Sequence, residues 1–275
     1  MSPAASMPGP AVRGLAAAVV TLLVLLTAPA PAAAPAEEVP DESRAYARAR
    51  AVEVVERRVL GRSVRGRPIT AYRKGNPGAA RTVLLLGQMH GDEPGGPVTA
   101  RWVRDRLPVD SDVDLWIVPT MNPDGAARGT RINARGVDLN RNWPTSGWRA
   151  ADDERGSRTW RGPRPASEPE VRAMIAFLRD VEPELITSLH QPYGSVGRNG
   201  KTPRYVRRLS RELGLPVETI GVGTPSPLVP PTLTSWFNER FRGGAVTVEF
   251  TARPSRDFLT RRAGRGILRA NLADW

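Results

Sequence analysis

The stretch Thr82-Val83-Leu84-Leu85-Leu86-Gly87-Gln88-Met89-His90-Gly91-Asp92-Glu93 decides the architecture. Thr82 to Gly87 is a short apolar run with the length of a buried strand. It ends in a polar segment that carries an imidazole and, three residues on, a carboxylate. The pattern recurs at Leu185-Ile186-Thr187-Ser188-Leu189-His190, again a buried run closed by a histidine. Leu115–Val118 and Ala245–Phe250 have the same short, buried character. Such strands alternating with helical segments predict an α/β fold: a mixed, mainly parallel twisted sheet between helical layers. In open sheets of this kind ligands bind at the carboxyl ends of the strands. The chain has only 2 histidines, and both stand at such an end.

Working outward, Val59–Lys74 predicts a hairpin turning near Gly66. Val98–Leu107 has helical spacing, and Asn122–Pro144, rich in Gly, Asn, Asp and Arg, reads as a long functional loop. Ser167-Glu168-Pro169-Glu170 has the form of a capping box, followed by a helical stripe of Val171, Met174, Ile175 and Leu178. A basic helix is expected near Tyr205–Leu213 and a Pro-rich loop at Gly223–Pro231. From Ser255 a helical stretch follows, with Phe258, Leu259, Ile267, Leu268 and Leu272 as candidate buried positions.

At 275 residues and 40% hydrophobic content, the chain has enough material for one sizeable core. Residues 1–36 read as a secretory signal peptide. Arg13 is the only charge before Glu37, Leu15–Leu26 is apolar apart from Thr21, and small residues follow. The other reading of this segment is an uncleaved anchor; both place the folded part outside the cytoplasm. Residues 37–58 are a polar lead-in, and 59–275 form the domain that carries the site. The net charge of +12 favours association with anionic envelope polymers. The arginines are scattered and aromatic content is 6%, which argues against a nucleic-acid groove. A monomer is expected.

The chain has no cysteine, so a transition-metal site must be built from His, Asp and Glu. In a tight turn His90 and Glu93 can converge on one ion. With His190 they make a donor set of two imidazoles and one carboxylate, which suits a single zinc ion and leaves a fourth position for water. Such an ion makes water acidic enough to react near neutral pH.

Three further strings stand in order along the chain: Asn122-Pro123-Asp124-Gly125, Gly136-Val137-Asp138-Leu139-Asn140-Arg141-Asn142-Trp143-Pro144, and Thr247-Val248-Glu249-Phe250. With the H-x-x-E string and the strand-end histidine they resemble the zinc carboxypeptidase family, from about Gly61 to Arg253. The resemblance implies a peptidase with His90, Glu93 and His190 as zinc ligands and Glu249 as general base. It also implies that Asn140 and Arg141 grip a substrate carboxylate and that Asp138 orients the first histidine. Arg131 matches the arginine that stabilises the oxyanion, with Arg128 and Arg135 as neighbours that can take the role instead. The Gly61–Ile69 and Gly129–Asn142 runs look most like bacterial murein peptide amidases, which act on the γ-D-glutamyl–diaminopimelate bond of cell-wall peptides. The family's digestive members carry a tyrosine in the loop before the last catalytic strand, and Gly221–Thr232 has none. Two other readings are an amidohydrolase of the aspartoacylase and succinylglutamate desuccinylase type, and a wall-polymer-binding domain on a decayed peptidase scaffold. The Asn-Pro-Asp-Gly and Asn-Arg-Asn-Trp strings favour the peptidase over the first, and the full set of ligands and base over the second.

Overall fold

Strand β3 (Arg81–Leu86) is buried on both faces, which is why its sequence is a continuous apolar run. Val83 and Leu85 enter one core, and Leu84 and Leu86 enter the other. The structure is a computed structural model that describes residues 53–109, 112–150, 154–220 and 230–272. The expected signal peptide and most of the Pro-rich loop lie outside these residues. All described residues belong to one compact unit, Pro40–Trp275.

Around β3 stand β1 (Glu56–Arg62), β2 (Pro68–Gly75), β4 (Val113–Val118), β5 (Leu185–His190), β6 (Tyr193–Gly197), β7 (Val217–Glu218) and β8 (Gly244–Thr251). They form an 8-stranded sheet in the order β1-β2-β4-β3-β5-β8-β6-β7. Its centre, β4-β3-β5-β8, is parallel; β1-β2, β2-β4 and β8-β6 are antiparallel. The sheet is mixed with a parallel centre, as expected. The β1–β2 hairpin turns through Gly66 at φ 78, a backbone region that favours glycine. β1 begins at Glu56, so the polar lead-in ends before residue 58.

Helices cover both faces. α1 (Gly95–Arg106) and α4 (Pro203–Leu213) pack on one side, together with a π-helical turn, Phe258–Gly264, that runs into α6 (Arg265–Leu272). α3 (Pro169–Val181) and α5 (Leu233–Arg240) pack on the other. The predicted stripe of α3 is buried, and Phe177 beside it meets Trp116 edge-on at 5.2 Å between centroids. Burying each such side chain stabilises the fold by about 1.5–3 kcal/mol. Of the C-terminal candidates, Leu259, Ile267 and Leu268 are buried, while Phe258 and Leu272 pack partly buried against the same core.

The capping box does not form. Glu168 is the N-cap, with no side-chain cap hydrogen bond. Ser167 donates instead to Glu168 and accepts from Asn142 Nδ2 (2.9 Å). Glu170 is drawn into tertiary bonds, accepting from Val64 N and Asn133 Nδ2. Long-range partners outbid the local one because these groups are buried and each must be satisfied. Asn122–Pro144 is likewise less open than expected: it holds a short helix, α2 (Pro123–Arg128), and a 3-10 turn at Leu139–Arg141.

One buried charge fastens the first helix. Lys74 on β2 is fully buried, and its ammonium donates to the carbonyls of Leu107 (2.6 Å), Arg104 (2.8 Å) and Val103 (3.4 Å). These are the carbonyls at the C-terminal end of α1, where a helix leaves acceptors unpaired and favours a cation. Burial lowers the Lys74 pKa to about 8, so the ammonium still dominates at neutral pH. Lys74→Met leaves the Arg104 and Leu107 carbonyls without this donor and is expected to cost about 2–4 kcal/mol. The denaturation midpoint in urea reports it, and an unchanged midpoint would refute the capping role.

Candidate metal centre and cleft

β3 and β5 are adjacent and parallel, and the chain leaves their C-terminal ends in opposite directions along the sheet. The crevice at such a switch point is where open sheets bind ligands. His190 is the last residue of β5, and His90 lies in the turn after β3. Gly91 lets that turn close onto the Asn-Pro-Asp-Gly segment, since a Cβ there would stand 2.0 Å from the carbonyl carbon of Gly125. Asn122 locks the contact. Its Oδ1 accepts from Gly125 N (2.9 Å), and its Nδ2 donates to Met89 O (3.0 Å) and Arg131 O (3.2 Å).

His90, Glu93 and His190 are buried, with ligand atoms all within 4.8 Å of one another. His90 Nδ1 is 2.7 Å from Glu93 Oε1 and 3.2 Å from His190 Nδ1; His190 Nδ1 is 3.1 Å from Glu93 Oε2. The outer nitrogens are occupied elsewhere. His90 Nε2 meets Asp138 Oδ1 at 3.1 Å, and His190 Nε2 meets Ser188 Oγ at 3.0 Å. Burial would raise the Asp138 pKa, but His90 and Arg131 beside it hold it well below the ordinary range. An ionised carboxylate only accepts, so His90 Nε2 donates to Asp138, and Nδ1 is the nitrogen that faces Glu93 and His190. Donor atoms converging in this way suit a cation among them. A tetrahedral ion with bonds of about 2.0–2.1 Å separates its ligand atoms by about 3.3 Å, close to two of the three spacings here. The residues fit the ion. Burial works to raise the Glu93 pKa as well, but the two imidazoles hold it down at about 2, so the carboxylate is ionised and ready to bind a metal.

Glu249 is set by strand register. Val246, Val248 and Phe250 of β8 face the helical core, which turns Thr247 and Glu249 to the opposite face. β8 pairs with β5 so that Glu249 lies directly opposite His190 and Thr247 opposite Ser188. Glu249 is buried, and its Oε2 has no hydrogen-bond partner among the described residues. Burial pushes its carboxyl above the ordinary range; His190 opposes this and Glu93 adds to it.

Asp138 ties the rest together. Its Oδ1 also accepts from Asn140 N (2.8 Å), which starts the 3-10 turn carrying Asn140 and Arg141. Its Oδ2 accepts from Arg131 Nε (3.1 Å) and Nη2 (2.9 Å). Arg131 Nη1 reaches 3.1 Å from His90 Nδ1 and 3.4 Å from Glu93 Oε1. Arg128 donates to Asn133 O and Arg135 pairs with Glu168, so among these three arginines only Arg131 meets the cluster. Asn140 Oδ1 accepts from Leu233 N (3.1 Å) at the start of α5. Arg141 is 9% exposed and donates to the Asn140 carbonyl. His90, His190, Arg131, Asn140, Arg141 and Glu249 all line one cleft of ≈ 470 Å³.

A sequence profile described as zinc carboxypeptidase matches residues 45–196. The chain belongs to the zinc carboxypeptidase family. It is therefore a hydrolase, and zinc is the ion its buried His-Glu-His group is suited to hold. Murein peptide amidase A of Escherichia coli (strain K12) is 33% identical over 179 residues, 60% of this chain and 71% of that protein. Murein peptide amidase A of Vibrio campbellii is 29% identical over 199 residues, 69% and 77% of the two chains. Among solved structures, murein-tripeptide amidase from Escherichia coli O157 superposes with TM-score 0.65 and 26% identity, covering 82% of this chain and 96% of that chain. Carboxypeptidase A from Helicoverpa armigera, at TM-score 0.69 and 18% identity over 84% and 71% of the two chains, shares the fold. The profile match ends before Glu249, so it is the β5–β8 register that brings Glu249 to the zinc site. Ser188 and Asn122 were not foreseen as site residues. The period-2 alternation that sends His190 to one face of β5 also places Ser188 there.

Proposed function

We propose that the chain hydrolyses the γ-D-glutamyl–diaminopimelate amide of cell-wall peptides, outside the cytoplasm. Relatedness to murein peptide amidases supports the substrate, and the basic, apolar, small-residue order of residues 1–36 supports export. The observation that carries a carboxylate-bearing substrate is Arg141, a buried guanidinium that makes no direct ion pair among the described residues and feels Asp138 only at longer range, in the same cleft as the metal group. An unpaired buried charge is costly, and a substrate carboxylate offsets that cost.

His90, Glu93 and His190 would hold the zinc ion, which supplies Lewis acidity that makes water nucleophilic near neutral pH and polarises the scissile carbonyl. Asp138 keeps His90 in one tautomer and fixes Arg131 in place. Asn140 and Arg141 orient the substrate through its carboxylate. Glu249 removes a proton from the attacking water as oxygen bonds to the carbonyl carbon. Arg131 stabilises the negative charge that develops on the carbonyl oxygen. The carbon–nitrogen bond then breaks, and Glu249 returns the proton to the leaving amine.

The test is hydrolysis of L-Ala-γ-D-Glu-diaminopimelate. Cleavage at the γ-glutamyl bond is expected, with loss on chelation and recovery on adding one equivalent of zinc. Zinc-loaded protein that leaves this peptide intact while cleaving N-acyl amino acids would overturn the proposal.

A further inference from the structure

The far wall of the cleft is polar: Arg198, Asn199, Thr232, Thr234, Asn238 and Thr247 line it. Four arginines line the cleft in all, Arg131, Arg141, Arg158 and Arg198. Two of these are neutralised within the protein, Arg131 by Asp138 at 2.9 Å and Arg158 by Asp92 at 3.1 Å. The other two are not. Arg141 donates only to a backbone carbonyl, and the exposed Arg198 guanidinium has no partner among the described residues. The two amides on this wall are committed to the backbone: Asn199 Nδ2 and Asn238 Nδ2 both donate to Ala245 O, and Asn238 Oδ1 accepts from Ala245 N. They build a fixed rim beside Arg198 and leave the guanidinium as the free charged group there.

We infer that Arg198 is a specificity-determining residue that binds a second carboxylate, carried on the side chain of the leaving residue, while Arg141 binds the first. The cleft has two unneutralised guanidiniums, so it matches a leaving amino acid with two carboxylates better than one with a single carboxylate. The inference names the leaving-group class for the hydrolysis proposed above and rests on that reading for which residue leaves. Diaminopimelate and lysine form the natural test pair, because diaminopimelate is lysine with a carboxylate added at the far carbon.

The experiment is calorimetric titration of the zinc-loaded full chain with free meso-diaminopimelate and free L-lysine, for wild type, Arg198→Gln and Arg198→Lys. A charge-assisted hydrogen bond gives wild type an expected preference of about 10- to 100-fold for the dicarboxylate. Arg198→Gln is expected to shrink the preference to about threefold or less, and Arg198→Lys to retain part of it, since a lysine keeps the charge without the fork. A wild type without preference, or an Arg198→Gln protein that keeps the wild-type ratio, overturns the inference. Binding and hydrolysis are read separately. A protein that shows the Arg198-dependent preference but does not cut the γ-glutamyl peptide retains this subsite and loses the proposed bond.

Discussion

Glu249→Gln is expected to lower kcat by about 10²- to 10⁴-fold, the range a positioned general base contributes, while zinc stays bound at one ion per chain. The substitution is nearly isosteric, so the β5–β8 register that opposes Glu249 to His190 survives it. The amide cannot accept a proton at neutral pH, so the loss belongs in kcat more than in KM, because the carboxylate grip proposed for Asn140 and Arg141 is untouched. The measurement is single-turnover hydrolysis alongside metal analysis of the same sample. Full activity in Glu249→Gln would remove Glu249 from the mechanism. Loss of zinc together with activity would instead make it a structural support of the metal group.

What the sequence made legible was whatever depends on burial and alternation. The β3 and β5 runs are largely apolar and buried because helices cover both faces, and a run of that kind announces a central parallel strand. Glu249 was legible for the same reason: a carboxylate between Val248 and Phe250 breaks an apolar run, and a break of that kind needs a purpose. Strands β6 and β7 were not foreseen. Tyr193–Gly197 has two glycines in five residues, and Val217–Glu218 is only two residues long; both owe their pairing to neighbours already in place. α5 was missed as well, with its start tied to Asn140 across 93 positions of sequence.

Local rules misled where distant partners compete for the same group. Ser167 and Glu170 stand at capping-box spacing, yet Asn142, Asn133 and Val64 claim them. No periodicity encodes that choice, since it arises once the Asn122–Pro144 segment folds over the start of α3. The same segment was expected to be a loop because its glycines and asparagines outweigh its helical signal, although Asn122 before Pro123 is itself a helix start, an accepting cap followed by a residue preset for the first turn. Sequence alone does not rank Arg128, Arg131 and Arg135. They are chemically alike in sequence, and only the reach to Asp138 and His90 separates them.

His190→Ala should abolish tight zinc binding and, with it, activity by at least about 10³-fold, since the acidity that zinc confers on water is worth several kcal/mol. The variant also separates a metal ligand from a structural histidine. The His190 ring hydrogen-bonds to no backbone group among the described residues; it meets Ser188, His90 and Glu93. With zinc removed, those contacts crowd donor atoms together, so deleting the ring relieves as much as it loses. The metal-free variant is therefore expected to unfold within about 1 kcal/mol of metal-free wild type. Wild type should gain about 4 kcal/mol when free zinc is 1,000 times its dissociation constant, because an ion that binds only the folded state stabilises it by mass action. His190→Ala should show almost none of that gain. Thermal unfolding with and without chelator measures both differences. A variant that keeps the zinc-dependent gain would show that the ion sits elsewhere, whereas one that collapses even without zinc would make His190 a part of the core.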